Sequence, residues 1–149
     1  LTPAGDAYCW GSNAYGVLGN PTALGGRVPV LVSGNHAWTT ISAGADHSCA
    51  LETGGVAWCW GVNAYGQLGV AAVAEACPAF GSAQVCRTSP IAVASAVVFA
   101  EISAGSSHTC GLTPDGDIWC WGRGLEGQLG HGLTQSSSAP VRVENPGAT

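Results

Sequence analysis

Two short stretches carry the residues best suited to chemistry. Asp46-His47-Ser48-Cys49 and Ser107-His108-Thr109-Cys110 each place a histidine two residues before a cysteine. A second cysteine follows each, Cys59 or Cys120, inside Trp-Cys-Trp-Gly. Three chemistries could use such a set. A histidine beside Ser48 or Ser106 with a nearby carboxylate would suit nucleophilic catalysis. That arrangement recurs in every complete copy, whereas an active site is ordinarily unique, and the chain has no Gly-x-Ser-x-Gly elbow. His47, Cys49 and Cys59 could ligate a metal, but no Cys-x-x-Cys pair supports a structural zinc site. The glycines form no phosphate loop with Lys-Ser or Lys-Thr. The nine acids are too scattered to nominate a glycosidase pair. We therefore assign no catalytic residue, no metal ligand and no cofactor.

The third chemistry is the disulfide. Opposed residues of an antiparallel pair have Cα atoms roughly 4.5–5.5 Å apart, within reach of a bridge. Cys49 with Cys59 and Cys110 with Cys120 flank two copies of one hairpin. Each bridge would close a loop of about 11 residues and stabilise on the order of 3 kcal/mol. Cys77 and Cys86 stand outside the repeated pattern and are expected to staple their own loop. Cys9, the seventh cysteine, corresponds to Cys59 and Cys120; its partner is expected two residues before Leu1, and the odd count is then expected to be an effect of truncation. Disulfides persist in oxidising compartments, which points to an extracellular, cell-surface or periplasmic protein.

The elements that position these residues come from a repeat. Ile41–Gly69, ISAGADHSCALETGGVAWCWGVNAYGQLG, returns at Ile102–Gly130 as ISAGSSHTCGLTPDGDIWCWGRGLEGQLG. An incomplete copy, LTPAGDAYCWGSNAYGVLG, opens the chain. A Pro-led apolar run follows each copy, at Pro29, Pro90 and Pro140. Periods of roughly 50–60 residues mark a solenoid or a propeller. Between 90 and 143 one period reads as strands over 90–93, 97–103, 108–112 and 118–122, with a tight turn at Pro114-Asp115-Gly116. Four antiparallel strands and no amphipathic helix describe a propeller blade; the rungs of a β-helix are far shorter. The expected fold is all-β, one arc of a β-propeller over 1–149. It holds about three four-stranded blades, incomplete at both ends. Its repeats run over 1–40, over 41–101 with an insertion at 70–89, and over 102–149.

Ile-Ser-Ala-Gly, His-x-Cys, Tyr/Trp-Cys-Trp-Gly and Asn-x-Tyr-Gly-Gln-Leu-Gly together resemble the regulator of chromosome condensation repeat family. The resemblance covers nearly all of the chain outside 70–89. It implies a propeller, commonly seven-bladed, of which these residues are a part; the remaining blades, or other copies, would cover both ends. It also implies a choice of roles: nucleotide exchange on a small GTPase, a propeller region of a signalling protein, or a secreted bacterial propeller that inhibits a β-lactamase.

Composition narrows that choice. The net charge is −5, with four arginines and no lysine, so no basic patch invites a nucleic acid. No apolar run reaches the roughly 20 residues of a membrane-spanning helix. The acidic, cysteine-bridged character departs from the nuclear exchange factor. Trp10, Trp60 and Trp121 share one repeat position, and Tyr8, Trp58 and Trp119 another; both sets suit packing between blades. Partner-binding residues are expected where the copies differ, because loops on a rigid scaffold carry function. Those loops are 17–28, 70–89 and 129–139, with Phe80, Arg87 and His131 as candidate contacts. The expected role is a non-catalytic scaffold that binds another macromolecule through these loops or builds a larger assembly. A GTPase regulator and a glycan-binding or glycan-active protein are the alternatives.

Overall fold

The computed structural model describes residues 1–73 and 85–144; Cys77 and Phe80 lie outside the described residues. Ten strands and no helix occur among them. β1 (Tyr8–Gly11) and β2 (Gly26–Leu31) form an antiparallel pair. β3 (Trp38–Ala43), β4 (His47–Glu52), β5 (Ala57–Val62) and β6 (Cys86–Ala92) form a four-stranded meander in that order. β7 (Glu101–Ala104), β8 (His108–Leu112), β9 (Ile118–Gly122) and β10 (Ser137–Arg142) form a second. The described residues thus form an all-β partial propeller of two four-stranded blades and one two-stranded sheet.

The strand grouping corrects the period drawn over 90–143. The Pro90 run lies in β6 and pairs with β5, through Trp58↔Ala92 and Cys59↔Ile91. It closes the blade of the preceding copy and does not open the next. Proline lacks the amide proton that a central strand must donate, so an edge position suits it. β2 and β10, with Pro29 and Pro140, hold the same edge place. The strand expected over 97–103 is also shorter than drawn. Phe99 spends its amide on the carbonyl of Gly55, at 2.8 Å, in the neighbouring blade.

Both hairpins close as their turn residues dictate. Gly116, at φ +90°, donates to Thr113 O at 3.0 Å, and Gly55 donates to Glu52 O at 2.9 Å. The core lies between blades, as sheets with one apolar face require. Trp121, Leu68, Val93, Phe99 and Ile102 pack the junction of the two whole blades. Trp60, Trp38, Val32 and Ala7 pack the junction of the half-blade with its neighbour. Trp60 and Trp121 are both wholly buried.

Candidate functional site: the blade junctions and the exposed rim

The repeat positions that resemble chemistry sit at blade junctions. Register places Cys49 opposite Cys59 and Cys110 opposite Cys120. Each pair is joined by a disulfide, with Cα atoms 4.1 Å apart. Cys86 is disulfide-bonded as well. Cys9 is free and half-buried, and burial pushes its thiol up from the usual range.

His47 crosses from β4 to the next blade. Its Nε2 lies 2.8 Å from the Thr109 hydroxyl, which donates to the Gln67 carbonyl at 3.0 Å. Trp121 Nε1 donates to the same carbonyl, also at 3.0 Å. The single hydroxyl proton of Thr109 is committed to Gln67, so Thr109 accepts from His47. That assigns the Nε2–H tautomer. His47 Nδ1 is buried without a hydrogen-bond partner. Burial, with a smaller contribution from His108, pushes the imidazole down to about 4, so it is neutral near pH 7. The half-blade junction repeats part of this pattern: Ser48 Oγ and Trp60 Nε1 donate to the Val17 carbonyl at 3.0 and 2.8 Å. Ser48 is therefore not paired with His47, and no serine–histidine couple forms there.

The described candidate residues belong to different blades, Arg87 to that of β3–β6 and His131 to that of β7–β10. Arg87 lies on strand β6, opposite Gly61, not on a loop as its place in 70–89 suggested. β6 starts earlier than the Pro90 run because Cys86 and Arg87 continue the ladder with Val62 and Gly61. His131 is half-buried at the far loop, with a buried Nδ1 that has no partner.

Sequence reasoning missed two groups. The first is a rim formed by the turn after each Cys-Trp-Gly strand, at Tyr15, Tyr65 and Glu126. Arg123 reaches across a blade boundary, with its Cζ 5.7 Å from the Tyr65 ring centroid, and pairs with Glu126 at 2.6 Å. Tyr65 and Leu125 are exposed. Asn13 and Asn63 brace the first two turns by accepting from the amides of Leu18 and Leu68, both at 3.0 Å. The third copy has Gly124 there, since the Gln135 carbonyl occupies the space of a side chain. The second group is His36 with Glu52, 2.9 Å apart, the imidazole lying 4.5 Å from Trp38 and 4.1 Å from Trp58 between centroids. Its signal was a difference between copies: Val97 and Thr113 hold the corresponding places in the last blade.

The regulator of chromosome condensation (RCC1) repeat model matches residues 4–51, 54–112 and 115–149. The chain belongs to that family. A second model of the repeat matches 38–67 and 99–128. Among relatives, the ultraviolet-B receptor UVR8 of Arabidopsis thaliana is 30% identical over 95% of this chain and 31% of the receptor. The E3 ubiquitin-protein ligase HERC2 of Homo sapiens is 29% identical over 97% of this chain but 3% of the ligase. Yeast RCC1 (Prp20) in its complex with Kap60 shares the fold at a TM-score of 0.82, with 22% identity, 99% of this chain covered and 35% of that one. Human WBSCR16 follows at 0.72 and 22%, covering 95% and 34%. The chain thus spans about a third of UVR8 and of these solved propellers, and far less of HERC2. In this RCC1-repeat arc, histidine, serine and threonine at the repeated positions serve blade contact, and the copies differ mainly at the rim and loops.

Proposed function

We propose that this chain is part of a non-catalytic RCC1-type propeller, of about seven blades, that binds another protein through its rim and inter-strand loops in an oxidising compartment. One observation carries the reading: His47, Ser48 and Thr109 use their polar atoms on neighbouring blades, whereas Tyr65, Leu125 and Glu126 are exposed, with the half-buried Arg123 between Tyr65 and Glu126. Exposed aromatic and arginine side chains are favoured anchors at protein interfaces. Similar proteins support binding as a role, since yeast Prp20 was studied for its binding to Gsp1p and histones and crystallised with Kap60. The disulfides support the extracellular, cell-surface or periplasmic placement. The repeats are taken as 1–40, 41–101 and 102–149, with Arg87, on the edge strand β6, His131, outside the strands, and Phe80 retained as candidate contacts.

The test is cross-linked affinity capture from the source material, followed by mapping of the linked residues. Cross-links concentrated on the rim, and about tenfold weaker capture by Tyr65→Ala with Leu125→Ser, would support the reading if melting temperature is unchanged. Equal capture by that variant would overturn the rim assignment. Mass analysis of the native protein without reduction tests the compartment. Free thiols at Cys49 and Cys59 would favour a cytosolic regulator of a small GTPase instead.

A further inference from the structure

The blade of β3–β6 holds a group that neither blade contact nor the rim uses. His36, in the loop between β2 and β3, places its ring between two indoles, 4.1 Å from Trp58 and 4.5 Å from Trp38 between centroids. Those indoles stand edge to face, with planes 82° and centroids 6.4 Å apart, and make two walls of a corner. Glu52 supplies a third side, its Oε2 accepting from His36 Nδ1 at 2.9 Å. The corner is largely enclosed: Trp38 is 4% exposed, and the His36 and Glu52 side chains 15% and 27%. Indole faces beside a carboxylate are surroundings that attract an organic cation.

The other copies show that a blade does not need this group. Val97 and Thr113 hold the His36 and Glu52 places in the last blade, where Phe99 and Trp119 keep the aromatic positions. Thr2 holds the Glu52 place in the first copy. Both threonines cap their hairpins, accepting through Oγ1 from the amides of Asp6 and Asp117 at 3.0 Å. Glu52 is committed to His36 instead. A local rule broken in one copy marks a place shaped for something besides folding. Trp60 and Trp121 give their indole N–H to turns of the preceding blade, whereas Trp58 Nε1 is buried with no partner.

His36 also sits on a stretch able to hinge. Gly34 and Asn35 have φ of +108° and +54°, and both are exposed. A β-carbon at Gly34 would lie 2.6 Å from His36 Cδ2 and Nε2, so the loop curls over the ring. The flanks are tied down: the Ser33 amide donates to the Gly19 carbonyl and the Ala37 carbonyl accepts from the Thr53 amide, both at 2.9 Å. Residues 34–36 can therefore swing without disturbing a strand.

We infer that Trp38, Trp58 and Glu52 form a binding site for an alkylammonium group that keeps an N–H, such as a lysine side chain or its monomethyl or dimethyl form, with His36 as the resident plug. The imidazole marks the ligand's place. Its Nδ1–H shows where the ligand's N–H meets Glu52, and its ring shows where the alkyl carbons lie on the indoles. Binding swings His36 out on Gly34 and Asn35, and the ammonium takes over the carboxylate and both rings. No covalent bond is made or broken. The inference uses no residue of the rim and stands apart from the proposed partner.

Calorimetric titration of the full chain with dimethylbutylammonium and with N-acetyl-dimethyllysine amide tests it. His36→Ala should bind one equivalent about tenfold more tightly than the wild type, the factor for a plug seated roughly nine-tenths of the time. The Trp58 indole N–H resonance, assigned with Trp58→Phe, should shift in both chains. The double variant His36→Val, Glu52→Thr copies the last blade, and it should keep its melting temperature and bind neither amine. Tighter binding of the lysine derivative would support a polypeptide source, and equal binding a free amine. Binding by the double variant as tight as by His36→Ala would overturn the inference. So would a folded His36→Ala chain that binds neither amine. The wild type gives a reading that needs no variant: a Trp58 resonance moved equally by the amine and by sodium chloride at matched ionic strength would also overturn it.

Discussion

His47 and His108 hold the same repeat position in the two whole blades, yet they live in different surroundings. Every residue of β4 but its last is buried, whereas buried residues alternate with half-buried ones in β8. His47 is wholly enclosed and held by Thr109. His108 is half-buried, and among the described residues no hydroxyl of a further blade reaches it. The tryptophans repeat the lesson on the other side. Trp60 and Trp121 are covered by the turn of the preceding blade, and Trp10 is not. A repeat residue takes its energetic weight from the neighbour that closes over it.

The tryptophans offer the sharpest way to break that comparison. Trp60→Ala should cost about 3–5 kcal/mol, as buried aromatic truncations do, while Trp10→Ala should stay within about 0.5 kcal/mol, the range for exposed positions. Urea unfolding of both variants measures it. Similar losses for the two would mean that burial does not decide the role of this position.

The histidine gives a pH signature. With the folded value near 4, below the ordinary 6.5, the neutral form is favoured by folding. The stabilisation is complete above about pH 6.5 and is lost as pH falls toward 4, amounting to about 3 kcal/mol. Unfolding midpoints of the wild type and His47→Asn should therefore converge on acidification. A gap that stays constant would show that His47 does not titrate between the two states.

Smaller effects sharpen the comparison of the two junctions. Thr109→Val strands the Nε2–H of His47 and should cost about 1–3 kcal/mol. Ser48→Ala should cost only about 1 kcal/mol, because the Val17 carbonyl keeps its bond from Trp60. Thermal melts at one pH separate them, and the reverse ranking would place the stronger network at the half-blade. Least of all, Arg123→Ala should remove about 0.5 kcal/mol, since its contacts with Tyr65 and Glu126 lie on the surface. A loss several times larger would make the rim a structural clamp.

Much of the architecture was legible in the residues. Constant spacing between His-x-Cys and Trp-Cys-Trp-Gly set the hairpin register, because side chains alternate with period two and a slip would have separated the cysteines. Pro90 marked a strand but not the sheet it belongs to, since one strand's sequence can serve either neighbour. Arg87 looked like loop because the insertion before it hides where the ladder resumes. The His36–Trp38–Trp58–Glu52 cluster stayed hidden because it joins residues from three strands and a loop with no local period.

By itself, then, the sequence determined what each blade is: four short strands, a pinned hairpin, glycines where backbones meet and proline at the edge. These are local matters of dihedral preference, alternation and spacing. Only the tertiary structure decided which copy of each residue is covered. His47 and His108, or Trp10 and Trp60, are nearly indistinguishable to local chemistry. Their desolvation, protonation and hydrogen bonding depend on a neighbouring blade about 60 residues away in the chain. That dependence is why near-identical motifs can be a core in one blade and an open face in another.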